Sequence, residues 1–103
     1  MACVTLLSDF GLQDATLAIT KGILMQYIPD SVIMDITHEV LPFNIRQAAY
    51  LLGATYKNFP QGTVHLPLLD IFAGKNPSLI LCAYHHQYFL CADNGLLPLA
   101  LND

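Results

Sequence analysis

Residues 4–14, VTLLSDFGLQD, decide how the chain folds. Residues 4–7 form a short, largely apolar run of the kind found in buried strands. Residues 8–14 then set a glycine turn between two aspartates, just ahead of a helix-like stretch. Strand, turn and helix in succession are the start of an α/β unit. Asp14 suits the N-cap of the helix, and a glycine in such a turn tolerates positive φ. Capping leaves Asp9 unexplained. It stands at the carboxyl end of the strand, where open α/β sheets gather their ligands.

Outward from this stretch the alternation continues. From Asp14 to about Ile28, residues Leu17, Leu24 and Ile28, with Thr20 and Tyr27 beside them, share one helical stripe that Pro29 stops. Residues 31–36 read as a second buried strand. Asn44 with Gln47 resembles a capping box, opening a helix through Ala48, Leu51, Leu52 and Thr55 to about Asn58. The segment FPQGTVHLPLLD, residues 59–70, supplies a turn and a third strand, in which Pro67 suits only an edge or a bulge. Residues 79–83 and 88–92 predict a hairpin turning through His85 and His86, with a further turn at residues 93–95. The order predicts a three-layer α/β fold with a mainly parallel central sheet, right-handed crossovers and helices on its faces. The carboxyl ends of three strands then present Asp9, the corner of Thr37, His38 and Glu39, and Asp70 along one edge, where a ligand is expected.

Composition narrows the function. A chain of 103 residues that is 54% hydrophobic, with mean hydropathy +0.48, has enough apolar material for one core. At this size only about 60–65% of the unfolded surface is buried, so some apolar face is expected to meet a partner or further chain. No apolar run approaches the ~18–20 residues of a membrane span and no secretory signal opens the chain, so a cytoplasmic protein is expected. Eight acidic against four basic residues, net charge −4, give no basic cluster for a phosphate backbone. Neither nucleic acid nor a membrane is an expected partner. Cys3, Cys82 and Cys91 lie in apolar segments without C-x-x-C spacing and are expected as buried thiols. The histidines and cysteines lack the ligand spacing of a zinc site.

Four stretches together carry a resemblance: LLSDFGLQD at residues 6–14, KGILMQYIPDSVIMDITHEVLPFNIRQAAYLL at 21–52, FPQGTVH at 59–65 and DNGLL at 93–97. They resemble the S-adenosylmethionine hydroxide adenosyltransferases, hydrolase relatives of the fluorinating and chlorinating adenosyl enzymes. The resemblance implies that residues 1–103 are the N-terminal part of the family's α/β domain, with a C-terminal β-barrel domain outside the chain. It implies trimers that hold the adenosyl ligand between one subunit's first domain and its neighbour's second. It implies reaction of S-adenosylmethionine with water to give adenosine and methionine, with no separate cofactor.

Residue by residue, the resemblance gives Asp9 the two ribose hydroxyls, which suits an acceptor-only carboxylate facing a cis-diol. Asp14 and Thr16 match ligand-contacting positions of the halogenating relatives, and Phe43 matches an aromatic beside the reacting ribose carbon. Read as residues alone, Asp14 is equally a cap, Thr16 a first-turn helix residue and Phe43 core. Asp70 matches the hydrolases' aspartate, which holds the attacking water together with an arginine and a more distant histidine; the halogenating enzymes typically carry tyrosine there. The segment DIFAGKNPS, residues 70–78, keeps Gly74 but places Pro77 where the arginine would stand, with Lys75 as the nearby cation. The family's histidine would lie beyond Asp103. His38 belongs to a corner, His65 to a strand, and His85 and His86 to a hairpin turn. Three readings follow: part of an S-adenosylmethionine hydrolase; a degenerate relative that binds adenosyl nucleosides without turnover; and a receiver-like signalling domain with Asp9 and Asp14 as its acidic cluster and Asp70 as phosphoacceptor. The expected hairpin opposes the last, which needs five regular βα units.

Overall fold

The computed structural model describes residues 3–42, 44–69 and 78–101. Strand β1 (Cys3–Ser8) leads to helix α1 (Thr16–Tyr27), then to β2 (Val32–Thr37) and α2 (Ile45–Thr55), which tightens into a 3-10 turn at Tyr56–Asn58. Next come β3 (Val64–Leu68), β4 (Leu79–Tyr84), β5 (Gln87–Ala92) and the short helix α3 (Leu96–Ala100). Among the described residues five strands form one sheet in the order β2-β1-β3-β5-β4. β1 is parallel to both β2 and β3, β5 is parallel to β3, and β4 alone runs antiparallel, paired with β5. The expected mixed α/β architecture is therefore present. The chain steps from β1 out to β2 and then back across β1 to β3. Right-handed crossovers in opposite directions put α1 and α2 on opposite faces.

On one face α2 and α3 close the core. Leu52, Tyr56, Leu96 and Leu97 pack against Leu7, Phe89 and Cys91 of the sheet. Asn44 caps α2, its Oδ1 accepting the Gln47 N–H at 3.0 Å, while Gln47 Oε1 accepts from Leu41 N–H at 3.2 Å. The two helices approach closely at Gly53, where a Cβ would stand 2.7 Å from the Ala100 carbonyl oxygen.

The other face departs from the sequence expectation. Helix α1 begins at Thr16, two residues later than expected, and contains no buried residue; Tyr27 is 81% exposed. The stripe through Leu17 and Leu24 is real as a period but reaches only part of the sheet. Beside it opens an apolar groove of about 260 Å³ lined by Ile23, Leu24, Leu66, Leu68, Leu79 and Leu90, among others. The predicted second buried strand is instead the edge strand β2, mostly exposed or half-buried, because nothing pairs with its outer side among the described residues. Leu79 and Leu81 of the other edge strand are likewise exposed. Of the expected buried thiols only Cys91 is buried, Cys3 and Cys82 being half-covered. Pro67 lies in a central strand, contrary to the edge or bulge expected. The β3–β5 ladder covers only Val64 and His65, so it ends before the proline and asks no bond of it on that side.

A polar group crosses the core. His65, fully buried, meets Thr5 Oγ1 through Nδ1 at 2.6 Å and Gln87 Oε1 through Nε2 at 2.5 Å. Gln87 Nε2 donates to the Tyr56 carbonyl at 2.9 Å. That carbonyl can only accept, which orients the amide and leaves Oε1 to accept from His65 Nε2–H. Nδ1 is then bare and takes the Thr5 hydroxyl proton. Burial pushes the His65 pKa below its ordinary value, outweighing the opposing hydrogen bond to Gln87. The unfolded imidazole, with an ordinary pKa of about 6.5, therefore binds a proton more readily than the folded one. Stability is complete above that value and is lost as pH falls toward the folded-state pKa. Urea midpoints are expected to drop between pH 7.5 and 5.5; a midpoint constant over this window contradicts a buried neutral imidazole.

The hairpin turn is strained. Tyr84 and Gln87 close a two-residue loop, and His85 and His86 adopt φ of 51° and 62°. A primed turn asks for positive φ at both positions, where Asn-Gly is preferred and a side-chain-bearing residue costs about 1 kcal/mol or more. Replacing the pair by His85→Asn with His86→Gly is expected to stabilise the chain by about 1–2 kcal/mol, read as a Tm rise of roughly 4–8 °C per kcal/mol. An unchanged or lower Tm opposes this reading of the turn.

Candidate functional site

Parallel β1, β2 and β3 deliver their carboxyl ends to the same edge of the sheet. The chain reverses its direction of travel between β1 and β3, and in doubly wound sheets ligands settle at this switch point. Asp9 follows the last residue of β1 and is half-buried. His38 and Glu39 follow β2, and Leu69 follows β3. Asp70, Phe43, Lys75 and Pro77 lie outside the described residues, so two of the five expected site residues, Asp70 and Phe43, have no described placement.

The loop from β1 to α1 is held by Ser8 and by the corner that follows β2. Gly11, at φ 73°, donates its N–H to the His38 carbonyl at 2.6 Å, and Phe10 N–H donates to Ser8 Oγ at 3.3 Å. Val40 N–H reaches the Ser8 carbonyl at 3.4 Å. Asp14 is exposed, and its Oδ1 accepts the Thr16 N–H at 3.0 Å, so it caps α1 from one position before the helix boundary. Thr16 is the first residue of α1 and half-buried. A cleft of about 420 Å³ is lined by Phe10, Gly11, Leu12, Gln13, Asp14 and Glu39. Asp14 and Glu39 thus share one cleft, with Asp9 at the root of the loop that forms its wall. Phosphate-binding turns point free N–H groups at an anion. Here the N–H of Phe10 is engaged by Ser8 Oγ and that of Gly11 by the His38 carbonyl, and the carboxylates of Asp14 and Glu39 are acceptors. The arrangement suits hydroxyl donors and cations.

Sequence reasoning missed a chain of polar groups beneath this edge. Ser8 Oγ lies 2.5 Å from His38 Nδ1, His38 Nε2 lies 2.7 Å from Asp35 Oδ1, and Asp35 Oδ2 lies 2.6 Å from Lys21 Nζ. Burial pushes the Asp35 carboxyl up, but hydrogen bonds from Lys21 and His38, together with the Lys21 charge, outweigh it and hold the pKa below the ordinary carboxylate value. An ionised Asp35 only accepts, so His38 carries its hydrogen on Nε2. The order Ser, His, Asp suggests a nucleophile triad, yet Ser8 is fully buried and lines none of the clefts described above. The available signal was Asp35, a charge inside the otherwise apolar strand VIMDIT. The remaining histidines are separate: His65 is in the core, and His85 and His86 form the hairpin turn.

Comparison with known proteins places this geometry. Residues 4–103 match the family described as the SAM hydroxide adenosyltransferase N-terminal domain. The (R)-S-adenosyl-L-methionine hydrolase of Thermus thermophilus is 34% identical over 100 residues, covering 97% of this chain and 39% of the relative. The hydrolase of the same name from Methanocaldococcus jannaschii is 37% identical over 98 residues, covering 90% and 37%. A crystal structure of a conserved hypothetical protein, also from Thermus thermophilus, superposes with a TM-score of 0.86 at 33% identity, over 99% of this chain and 43% of that one. The chain thus spans under half the length of these proteins. A family match over nearly every residue, on a fold shared with a related structure, makes the chain a member of the S-adenosylmethionine hydroxide adenosyltransferase family, corresponding to its N-terminal portion.

Proposed function

We propose that the edge around Asp9 is the adenosyl half-site of an enzyme that transfers the adenosyl group of S-adenosylmethionine to water, giving adenosine and methionine. The observation that supports this most is the chemistry of the β1/β3 switch point: carboxylates at Asp9, Asp14 and Glu39, with the N–H groups of Phe10 and Gly11 already engaged. Such an edge recognises a ribose diol and a cationic sulfonium better than a phosphate. In this reading Asp9 accepts from both ribose hydroxyls, Asp14 and Thr16 contact the ligand, and Phe43 lies against the reacting carbon. Displacement at the ribose C5′ releases a neutral thioether, so no general acid is required. The demands are in-line placement of water and exclusion of the bulk. A carboxylate with an ordinary pKa near ~4 is a weak base toward water, so Asp70 acts by orientation and electrostatics. The exposed apolar sheet face and its groove support self-association; the homotrimer and the cytoplasmic setting of this reading rest on the family resemblance. No helix among the described residues is long and apolar enough to cross a membrane.

A nucleoside titration tests the ribose assignment. Adenosine is expected to bind about tenfold or more tightly than 2′-deoxyadenosine, since the missing hydroxyl leaves acceptor capacity unmet at about 1–3 kcal/mol. Asp9→Ala is expected to erase the difference. Equal affinities in the native chain overturn the assignment.

Pro77, standing where the resembled hydrolases carry arginine, favours a second reading in which adenosyl ligands bind with little turnover. Adenosine release from S-adenosylmethionine by a version extended to the full length of its relatives, with Pro77 kept, is expected to be at least ~10²-fold slower than by the Thermus thermophilus hydrolase, the scale of losing one charge-stabilising group. A matching rate, abolished by Asp70→Asn, rules out the second reading.

A further inference from the structure

Asp9 does not hold its position by itself. The residues around it, Ser8, Phe10 and Gly11, are all tied to the segment from His38 to Val40 or to one another. Ser8 Oγ meets His38 Nδ1, the Ser8 carbonyl accepts from Val40, Phe10 N–H donates to Ser8 Oγ, and Gly11 N–H donates to the His38 carbonyl. His38 is therefore bound at both its side chain and its main chain to the residues that bracket Asp9. Its own ring is fixed from behind by Asp35, and Asp35 by Lys21 on α1.

One hydrogen arrangement satisfies the whole chain. Lys21 donates to Asp35 Oδ2, His38 Nε2–H donates to Asp35 Oδ1, and the Ser8 hydroxyl donates to the bare Nδ1 while accepting the Phe10 N–H. Ser8 and His38 are almost wholly buried, at 0% and 3% exposure. A buried polar pair of this kind is costly unless each member is satisfied, and once satisfied it admits little movement.

We propose that Ser8, His38 and Asp35 are positioning residues that set the ribose selectivity of Asp9. The proposal rests on the reading of Asp9 as the ribose ligand. Hydrogen bonds to a diol tolerate little error in distance and angle, so a shift of about 1 Å in the β1 end forfeits most of the discrimination between hydroxyl and hydrogen. On this proposal the relay acts on the ribose alone. Removing a relay member is therefore expected to lower the adenosine to 2′-deoxyadenosine affinity ratio while leaving 2′-deoxyadenosine binding close to its native value. A purely structural role predicts the opposite pattern, a lowered Tm with the ratio preserved.

The experiment is a titration of both nucleosides, followed by NMR, against the native chain, Ser8→Ala and Asp35→Ala, with Tm measured alongside. Ser8→Ala is expected to bring the ratio to within about twofold of unity, and Asp35→Ala to lower it at least threefold. Asp35 lies on the exposed edge strand with its side chain 39% accessible, so its variant keeps the test open should Ser8→Ala not fold. A native preference for adenosine that survives in the folded variants overturns the relay and leaves the ribose reading standing. A native ratio of one, insensitive to Asp9→Ala, overturns both. Loss of binding to both nucleosides in equal measure also overturns the positioning role.

Discussion

Strand β1 is fixed on both faces by an imidazole, and the rest of the fold is arranged around that fact. On the α2 side Thr5 is held by His65, whose other nitrogen reaches Gln87. This joins β1 to β3 and β5 and, through the Tyr56 carbonyl, to the end of α2. On the α1 side Ser8 is held by His38, whose other nitrogen reaches Asp35 and so β2 and α1. Apolar packing alone would let a strand slide by two residues and keep its faces. Two directional polar anchors, one in mid-strand at Thr5 and one at the carboxyl end at Ser8, forbid the slide and specify one register. The residue that follows the second anchor is Asp9.

Much of this architecture was legible in residue pattern. The apolar run before Ser8, the asparagine cap at residue 44 and the two strand-like runs on either side of the His85 and His86 pair each obey a local rule, and the structure keeps all three. What was not legible depended on neighbours. The helical period of α1 carries no information about how much sheet lies beneath it, so its stripe read as core-facing when Tyr27 and Ile28 are open. An apolar strand such as VIMDIT looks the same at an edge as in the middle. Pro67 argued for an edge because ladder bonds were assumed on both sides, and the short β3–β5 ladder removes that demand.

The candidate site divides in the same way. Asp9 was singled out by position, since a strand end in an α/β sheet faces the ligand edge whatever its sequence. Asp14 was read both as a ligand contact and as a cap, and its bond to the Thr16 N–H is the second of these. The relay through Ser8, His38, Asp35 and Lys21 joins residues 30 and 14 positions apart, and no local period connects them. Asp35 was the visible irregularity, a carboxylate where an apolar side chain was due. A charged residue in an apolar strand identifies a partner to be sought, although its identity requires the fold.

The strand order also bears on how the chain matures during synthesis. The earliest of the described strands to be made is an interior one, and its second neighbour, β3, is encoded only after β2 and α2. At about 5–20 residues per second, the nascent chain spends on the order of seconds with β1 paired on one side only. Through that interval its open backbone edge is a template for any other unpaired strand nearby. The polar anchor at Ser8 can form as soon as β2 and the His38 corner emerge, whereas the anchor at Thr5 must wait for His65. The nascent half-sheet is thus latched at the end that bears Asp9 while its opposite end is still incomplete.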